Sequence, residues 1–314
     1  FSSWYNQIMQ WFLLAIIAPF LWAIVNIADN YLVARFSEKE KERSSGGLVL
    51  FSSLIGILVA IIIGIFTSDV FNISTLDKIL LFITGVLTVV WIVFYLFTPE
   101  IEEVSIIVPW FLAVPIFGYI LGYIFLGEKL SVFQIIGSLI IFFGLILISV
   151  DFREEKRKIK KKPILYMVVV CLVVAFSGVI FKYVTVEENF WISSFWEYLG
   201  IGITGLIIFI FIPEYRNQFM NMNRRGGRKI FLVNIVSEMM TISGNLLTNF
   251  ALLLAPVTMV YLVGSFQPAI LLFLSLLCTK FFPHIIKEDM SLKVLIPKIL
   301  AIILMTFGSI VLFM

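Results

Sequence analysis

Charge is what this sequence has least of: 14% of its 314 residues are Asp, Glu, Lys or Arg, where a soluble domain carries about a quarter. Hydrophobic residues make up 61%, so no water-facing surface can be assembled from the remainder. Histidine and cysteine are also scarce, with His284 the one imidazole and Cys171 and Cys278 the two thiols. A metal site built on His and Cys is therefore not expected, and the acidic group Glu100, Glu102 and Glu103 lacks metal-ligand spacing too. Both cysteines fall in apolar segments, where a free thiol behaves as a small buried hydrophobe, and they report nothing firm on redox compartment. No glycine-rich phosphate loop is present, which argues against ATP-driven work by this chain alone, and no cofactor is expected. The formal net charge is only +3, with the basic residues in loops beside apolar runs. That placement points to anchoring at a membrane and not to nucleic acid. No basic n-region precedes the first apolar segment, which reads as a retained helix and not as a cleaved leader.

What the sequence does have is long apolar runs. Segments of roughly twenty residues, enough to cross a hydrocarbon core of about 30 Å, recur between short polar stretches. They predict ten helices near 11–34, 47–67, 78–98, 104–126, 131–151, 163–185, 190–212, 229–254, 256–281 and 292–314. The chain must turn tightly at 98–104 and 254–256, where Pro99 and Pro256 support a break. Lys and Arg gather in the links after helices one, five, seven and nine, whereas the links on the other side hold only Lys78 and Lys129. Because cytoplasmic loops retain positive charge, both termini are expected on the non-cytoplasmic side of a cell membrane.

The strongest charge run, Asp151 to Pro163, divides the chain almost in half. A shift of 153 positions pairs Phe97 with Phe250, Val104 with Val257, Ser105 with Thr258 and Pro115 with Pro268, and a shift of 152 pairs Tyr31 with Tyr183. Five helices is an odd number, so two such halves enter the membrane from opposite sides, the inverted-repeat plan of many secondary transporters.

The stretch Phe125-Leu-Gly-Glu-Lys-Leu-Ser-Val-Phe-Gln-Ile-Ile-Gly-Ser-Leu-Ile-Ile-Phe-Phe-Gly144 resembles the junction between the fourth and fifth helices of EamA-type members of the drug/metabolite transporter superfamily. Pro115 with its mate Pro268, the five-plus-five arrangement and Asn249-Phe-Ala-Leu-Leu-Leu-Ala-Pro256 extend that resemblance over essentially the whole chain. It implies an all-α membrane protein with EamA-like repeats at 1–151 and 163–314, a basic cytoplasmic linker at 152–162, and secondary transport of small organic metabolites or drugs. Ser131 is placed to cap the fifth helix, with Gln134 reaching back in a capping box. The second half departs from the pattern. Its counterpart of Glu128 to Ser131 is Glu288 to Ser291, and Pro268 to Glu288 spans 20 residues where Pro115 to Glu128 spans 13. Known members are expected to keep their termini inside; for this chain the charge distribution governs.

An ionisable group at a helix centre costs roughly 2.5–3.5 kcal/mol on insertion scales, so each calls for a partner or a wet cavity. On helix eight, Asn234, Glu238, Thr241, Asn245 and Asn249 are spaced to stack on one face. That stripe either faces a central cavity, with its amides offered to a solute and Glu238 able to bind a proton or cation, or hydrogen-bonds neighbouring helices. Trp91, Tyr95 and Trp110 are candidates to stack on a planar solute, though packing is their bland alternative. Tyr261 and Gln267, beside Pro268, are further candidates from helix nine. A gate is read in Lys182 with Glu197 as its counter-ion, set against a static pair or a snorkelling lysine. Asp29 and Asn30 hold the repeat-related positions at the opposite face, with Arg35 an alternative partner for Asp29.

Small residues recur every four positions at Ser52, Gly56, Ala60 and Gly64, and again at Gly118 and Gly122. They serve packing within a monomer or the interface of a homodimer. The expected partners are a small organic solute, membrane lipids and a coupled proton. A carrier of lipid or lipid-linked intermediates and a membrane-embedded enzyme are the rival readings.

Overall fold

The computed structural model describes residues 2–37, 45–97, 111, 113–149, 161–282 and 292–312. Among them are eleven α-helices: α1 (Ser2–Ser37), α2 (Ser45–Phe66), α3 (Thr75–Phe97), α4 (Val114–Leu126), α5 (Val132–Ser149), α6 (Lys161–Thr185), α7 (Phe190–Phe211), α8 (Pro213–Leu254), α9 (Val257–Gly264), α10 (Gln267–Phe281) and α11 (Leu292–Leu312). No strand occurs among the described residues. Among the described residues six stretches are long and apolar enough to cross a membrane: Gln10–Ala28, Gly46–Phe66, Thr75–Leu96, Leu165–Thr185, Phe190–Phe211 and Val257–Phe281. Val114–Leu126, Val132–Gly144 and Leu295–Val311 are shorter apolar helices.

Local chemistry accounts for the helix ends. Ser131 and Gln134 form the expected capping box, the Ser131 N–H donating to Gln134 Oε1 at 2.9 Å and the Gln134 N–H to Ser131 Oγ at 3.2 Å. Asn189 accepts the Trp191 N–H at 2.8 Å and starts α7. The repeat-related Pro115 and Pro268 both sit in the first turns of helices, α4 and α10, where a missing N–H costs nothing. α4 ends on Gly127, whose φ of +64° is open to glycine at little cost, and the Glu128 N–H closes the turn onto the Gly122 carbonyl at 3.1 Å.

Three boundaries differ from expectation. The basic stretch 213–228 was expected as a loop, yet α8 runs unbroken for 42 residues, because Pro213 opens it and its Glu, Gln, Met and Arg residues favour helix against the cost of Gly226 and Gly227. At 1.5 Å per residue it is about 63 Å long, twice a hydrocarbon core. The first helix, expected at 11–34, spans Ser2–Ser37. Helix nine is broken at Ser265 and Phe266 into α9 and α10, since Pro268 cannot donate to the preceding turn. The start of helix four, the 151–160 run and the loop 283–291 with His284 lie outside the described residues.

Packing is between helices distant in sequence. α5 lies along α11, α2 along α7, α3 against α6 and α7, α1 against α8, α9 and α10, and α4 against α6 and α9. Two apolar cores result. One gathers Trp11, Ile141, Leu252, Val257, Leu262 and Met305; the other gathers Val49, Ala60, Val89, Phe195, Tyr198 and Ile201. The small-residue faces are used inside the chain: Gly56 meets Ile201 and Gly202, Gly64 meets Phe195, and Gly118 meets Tyr261 and Val257. Large apolar side chains cover the outside, Phe66 being 85% exposed, as lipid contact and not water requires.

Candidate transport site

The polar stripe of α8 turns toward α2 and α7. Glu238, half-buried, accepts the Ser52 hydroxyl of α2, and Asn249 donates its amide Nδ2–H to Glu197 Oε2 of α7 at 2.7 Å. Thr241 donates back to the Ser237 carbonyl of its own helix at 3.0 Å. Asn234, buried, and Asn245, half-buried, have no hydrogen-bond partner among the described residues. In this conformation the stripe thus makes cross-helix bonds at two of its five positions. The two carboxyl contacts are separated by the eleven residues from Glu238 to Asn249, about 16 Å along the helix at 1.5 Å per residue.

Glu197 is buried to 7% exposure. One turn before it on α7, Ser193 and Ser194 are fully buried with hydroxyls that find no partner among the described residues. Tyr198, the residue after Glu197, is also buried and packs in the core with Phe195 and Ile201. α7 reaches this depth because glycines remove the obstacle: a Cβ on Gly200 would strike the Phe82 carbonyl of α3, and one on Gly85 the Glu197 carbonyl.

The expected gate pair is corrected. Lys182 does not serve Glu197; its ammonium donates to Glu128 Oε1 at 2.6 Å and to the Ala255 carbonyl at 2.7 Å. The physical reason is backbone demand. Pro256 interrupts the chain between α8 and α9, leaving the Ala255 carbonyl and the Val257 N–H without helical partners, and a cation paired with a carboxylate meets both. Glu128 Oε2 accepts that Val257 N–H at 2.8 Å.

The aromatic candidates divide. Trp91 and Tyr95 of α3 stand 6.3 Å apart and pack on Met167, Val170 and Val174 of α6 with Phe111. Tyr261 is half-buried between α4 and α6 and donates its hydroxyl to the Val174 carbonyl at 3.1 Å. Gln267, at the first position of α10, has no hydrogen-bond partner among the described residues. Trp110 and the side chains of Asp29, Asn30 and Arg35 lie outside the described residues. Two open clefts flank the bundle, one of about 250 Å³ between α1 and α8 and one of about 380 Å³ beside Asn189, Trp191 and Phe250. Neither is lined by Glu238 or Glu197.

Sequence reasoning gave no role to Glu128 or to Ser52 as a hydrogen-bond donor. Glu128 had a signal: an acidic residue directly after a helix-ending glycine at an apolar junction. Ser52 had none, since it looks like packing until the Glu238 carboxyl is placed beside it.

No curated protein matches the chain. Among solved structures, one crystal structure of a protein aligns with 96% of this chain and 96% of its own at a TM-score of 0.68 and 13% identity. That is a likeness of fold alone. The model of the EamA-like transporter family matches residues 9–150, the span from α1 to the end of α5. Residues 9–150 are therefore similar to the EamA-like transporter family, within a chain whose long apolar helices make it a multi-pass α-helical membrane protein.

Proposed function

We propose that the chain is a secondary active transporter that moves small organic metabolites or drugs across a cell membrane by alternating access. In this reading it makes ten crossings in two five-helix halves of opposite orientation, with both termini away from the cytoplasm. The observation that carries the proposal is the pair of cross-helix contacts on one face of α8, Ser52 to Glu238 and Asn249 to Glu197, in a bundle whose cores and outer faces are apolar. Groups so costly to bury mark solute and ion paths. The two-half plan is supported by the packing partners, which exchange when the halves are exchanged. α1 with α8 answers α6 with α3, α2 with α8 answers α7 with α3, and the mates α2 and α7, or α5 and α11, pair with each other.

Asn245, Asn249, Thr241, Gln267 and Tyr261 are the proposed solute contacts, with Trp91 and Tyr95 as an aromatic wall. Glu238 is the proposed site of proton coupling, because it alone on the stripe can change charge and proton and solute influence each other only through differential affinity. The test is counterflow of a panel of amino acids, nucleosides and cationic dyes in proteoliposomes between about pH 5.5 and 8.5. Glu238→Gln is expected to keep exchange and lose its pH dependence, and Asn245→Ala to weaken affinity with that dependence intact. Counterflow of no panel member sinks the transport reading; a Gln variant with unaltered pH dependence removes Glu238 from coupling. A lipid-linked solute is the second reading, favoured by the cleft between α1 and α8, whose walls Ile24, Val25, Val236 and Met240 suit an acyl chain.

A further inference from the structure

We propose that Glu128 is the positioning residue of the transport cycle at the end of the bundle holding the 186–189 link: with Lys182 it clamps the broken backbone between α8 and α9, and release of the clamp opens that end. The inference rests on the transporter reading but on different atoms from those assigned to solute or proton. Glu128 follows Gly127 at the end of α4 in the first half, while Lys182 on α6 and the break at Ala255 to Val257 belong to the second. Every charge-bearing atom of the pair is committed. Glu128 Oε1 takes the ammonium at 2.6 Å, Oε2 takes the Val257 N–H at 2.8 Å, and the ammonium also serves the Ala255 carbonyl at 2.7 Å.

Both side chains are 13% exposed, so the pair is shielded enough to hold yet sits where water can reach it during opening. Gly122 makes the room, since a Cβ there would stand 2.7 Å from Glu128 Oε2. The clamped break is the hinge between two parts of the candidate site. Asn249 lies on the last turns of α8 and Tyr261 on α9, so a shift at Ala255 and Val257 moves one relative to the other. In the sequence the repeat-related positions hold Asp29 with Asn30, the glutamates 100, 102 and 103, and Glu288. None of these is a cation, so the sequence builds this clamp at one end only.

The test reads local opening in the purified full-length protein, with Cys171 and Cys278 replaced by Ala and a single reporter introduced as Thr258→Cys. Thr258 is 6% exposed in the first turn of α9, and its maleimide labelling is expected to be slow. Glu128→Leu and Lys182→Met are expected to speed labelling about tenfold or more, the loss that follows from one hydrogen bond to a charged group. A control reporter, Ala301→Cys, is fully buried between α5 and α11 and is expected to stay slow, which a merely loosened protein would not allow. If Glu128→Leu does not fold, Glu128→Gln serves, and its expected labelling lies between wild type and Lys182→Met. The exchange Glu128→Lys with Lys182→Glu restores opposite charges but sets a donor against the Val257 N–H and an acceptor against the Ala255 carbonyl, so it is expected not to restore protection. Unchanged labelling at Thr258, equal acceleration at both reporters, or full rescue by the exchange each overturns the clamp. The counterflow assay decides the transporter reading separately.

Discussion

The crossing of α3 and α7 at Gly85 and Gly200 offers the sharpest test of the packing. A Cβ added at Gly85 would stand 2.6 Å from the Ile201 nitrogen and closer still to the Glu197 carbonyl oxygen, and both are backbone atoms that cannot rotate away. Ordinary contact begins near 3.4 Å, so Gly85→Ala forces the helices apart by roughly an ångström. Overpacking of that kind costs about 1–3 kcal/mol, and each kcal/mol lowers the thermal midpoint by about 2–4 °C for a chain of a few hundred residues. The displaced atom belongs to Glu197, so its 2.7 Å bond from Asn249 is strained in the same step. Counterflow should fall together with the midpoint. Gly264→Ala is the control, since a Cβ there meets nothing within 4 Å. Differential scanning fluorimetry of the three proteins in detergent checks the order. A Gly85→Ala variant with the midpoint and flux of wild type would refute the argument.

Asn249→Leu removes the hydrogen bond that Asn249 donates to the Glu197 carboxyl and should destabilise by about 1–3 kcal/mol, read as a lowered thermal midpoint; an unshifted midpoint would show that the bond carries nothing. Tyr261→Phe removes only the hydroxyl bond to the Val174 carbonyl, a loss of about 0.5–1.5 kcal/mol, so fluorimetry should find it milder than Asn249→Leu. Gly122→Ala should push the Glu128 carboxylate off the Val257 N–H and raise labelling of the Thr258→Cys reporter as Glu128→Gln does; wild-type labelling would contradict that. For orientation, cysteines introduced at Glu188 and Arg157 in separate Cys-free proteins should react with an impermeant reagent in intact cells only at 188, and the reverse pattern would invert the topology.

The membrane character, the helical class and the EamA-like pattern of residues 9–150 were legible in the sequence because each rests on quantities that add along the chain: apolar length, scarcity of charge, and the spacing of proline and glycine. The capping box at Ser131 and the helix starts at Pro115 and Pro268 were legible for the same reason, since their partners lie within a few residues. The five residues of the α8 stripe were found on one face because helical period alone places them there. What α8 touches was not. Spacing reports depth along a helix but not the direction in which each face points across the bundle, so Lys182 and Glu197 looked paired at similar depth when the lysine was in fact drawn to Glu128. The length of α8 was misjudged through charge and the Gly226-Gly227 pair, because a basic stretch with two glycines beyond the hydrocarbon reads as a loop although it holds no proline after Pro213. The sequence by itself determined a multi-pass helical membrane chain with a polar face on one helix; only the tertiary structure decided that Ser52 bonds Glu238, that Asn249 bonds Glu197 and that Glu128 bonds Lys182. Each of those contacts joins residues between 52 and 186 positions apart, and chemistry at that range is set by helix rotation and packing, which no local pattern records.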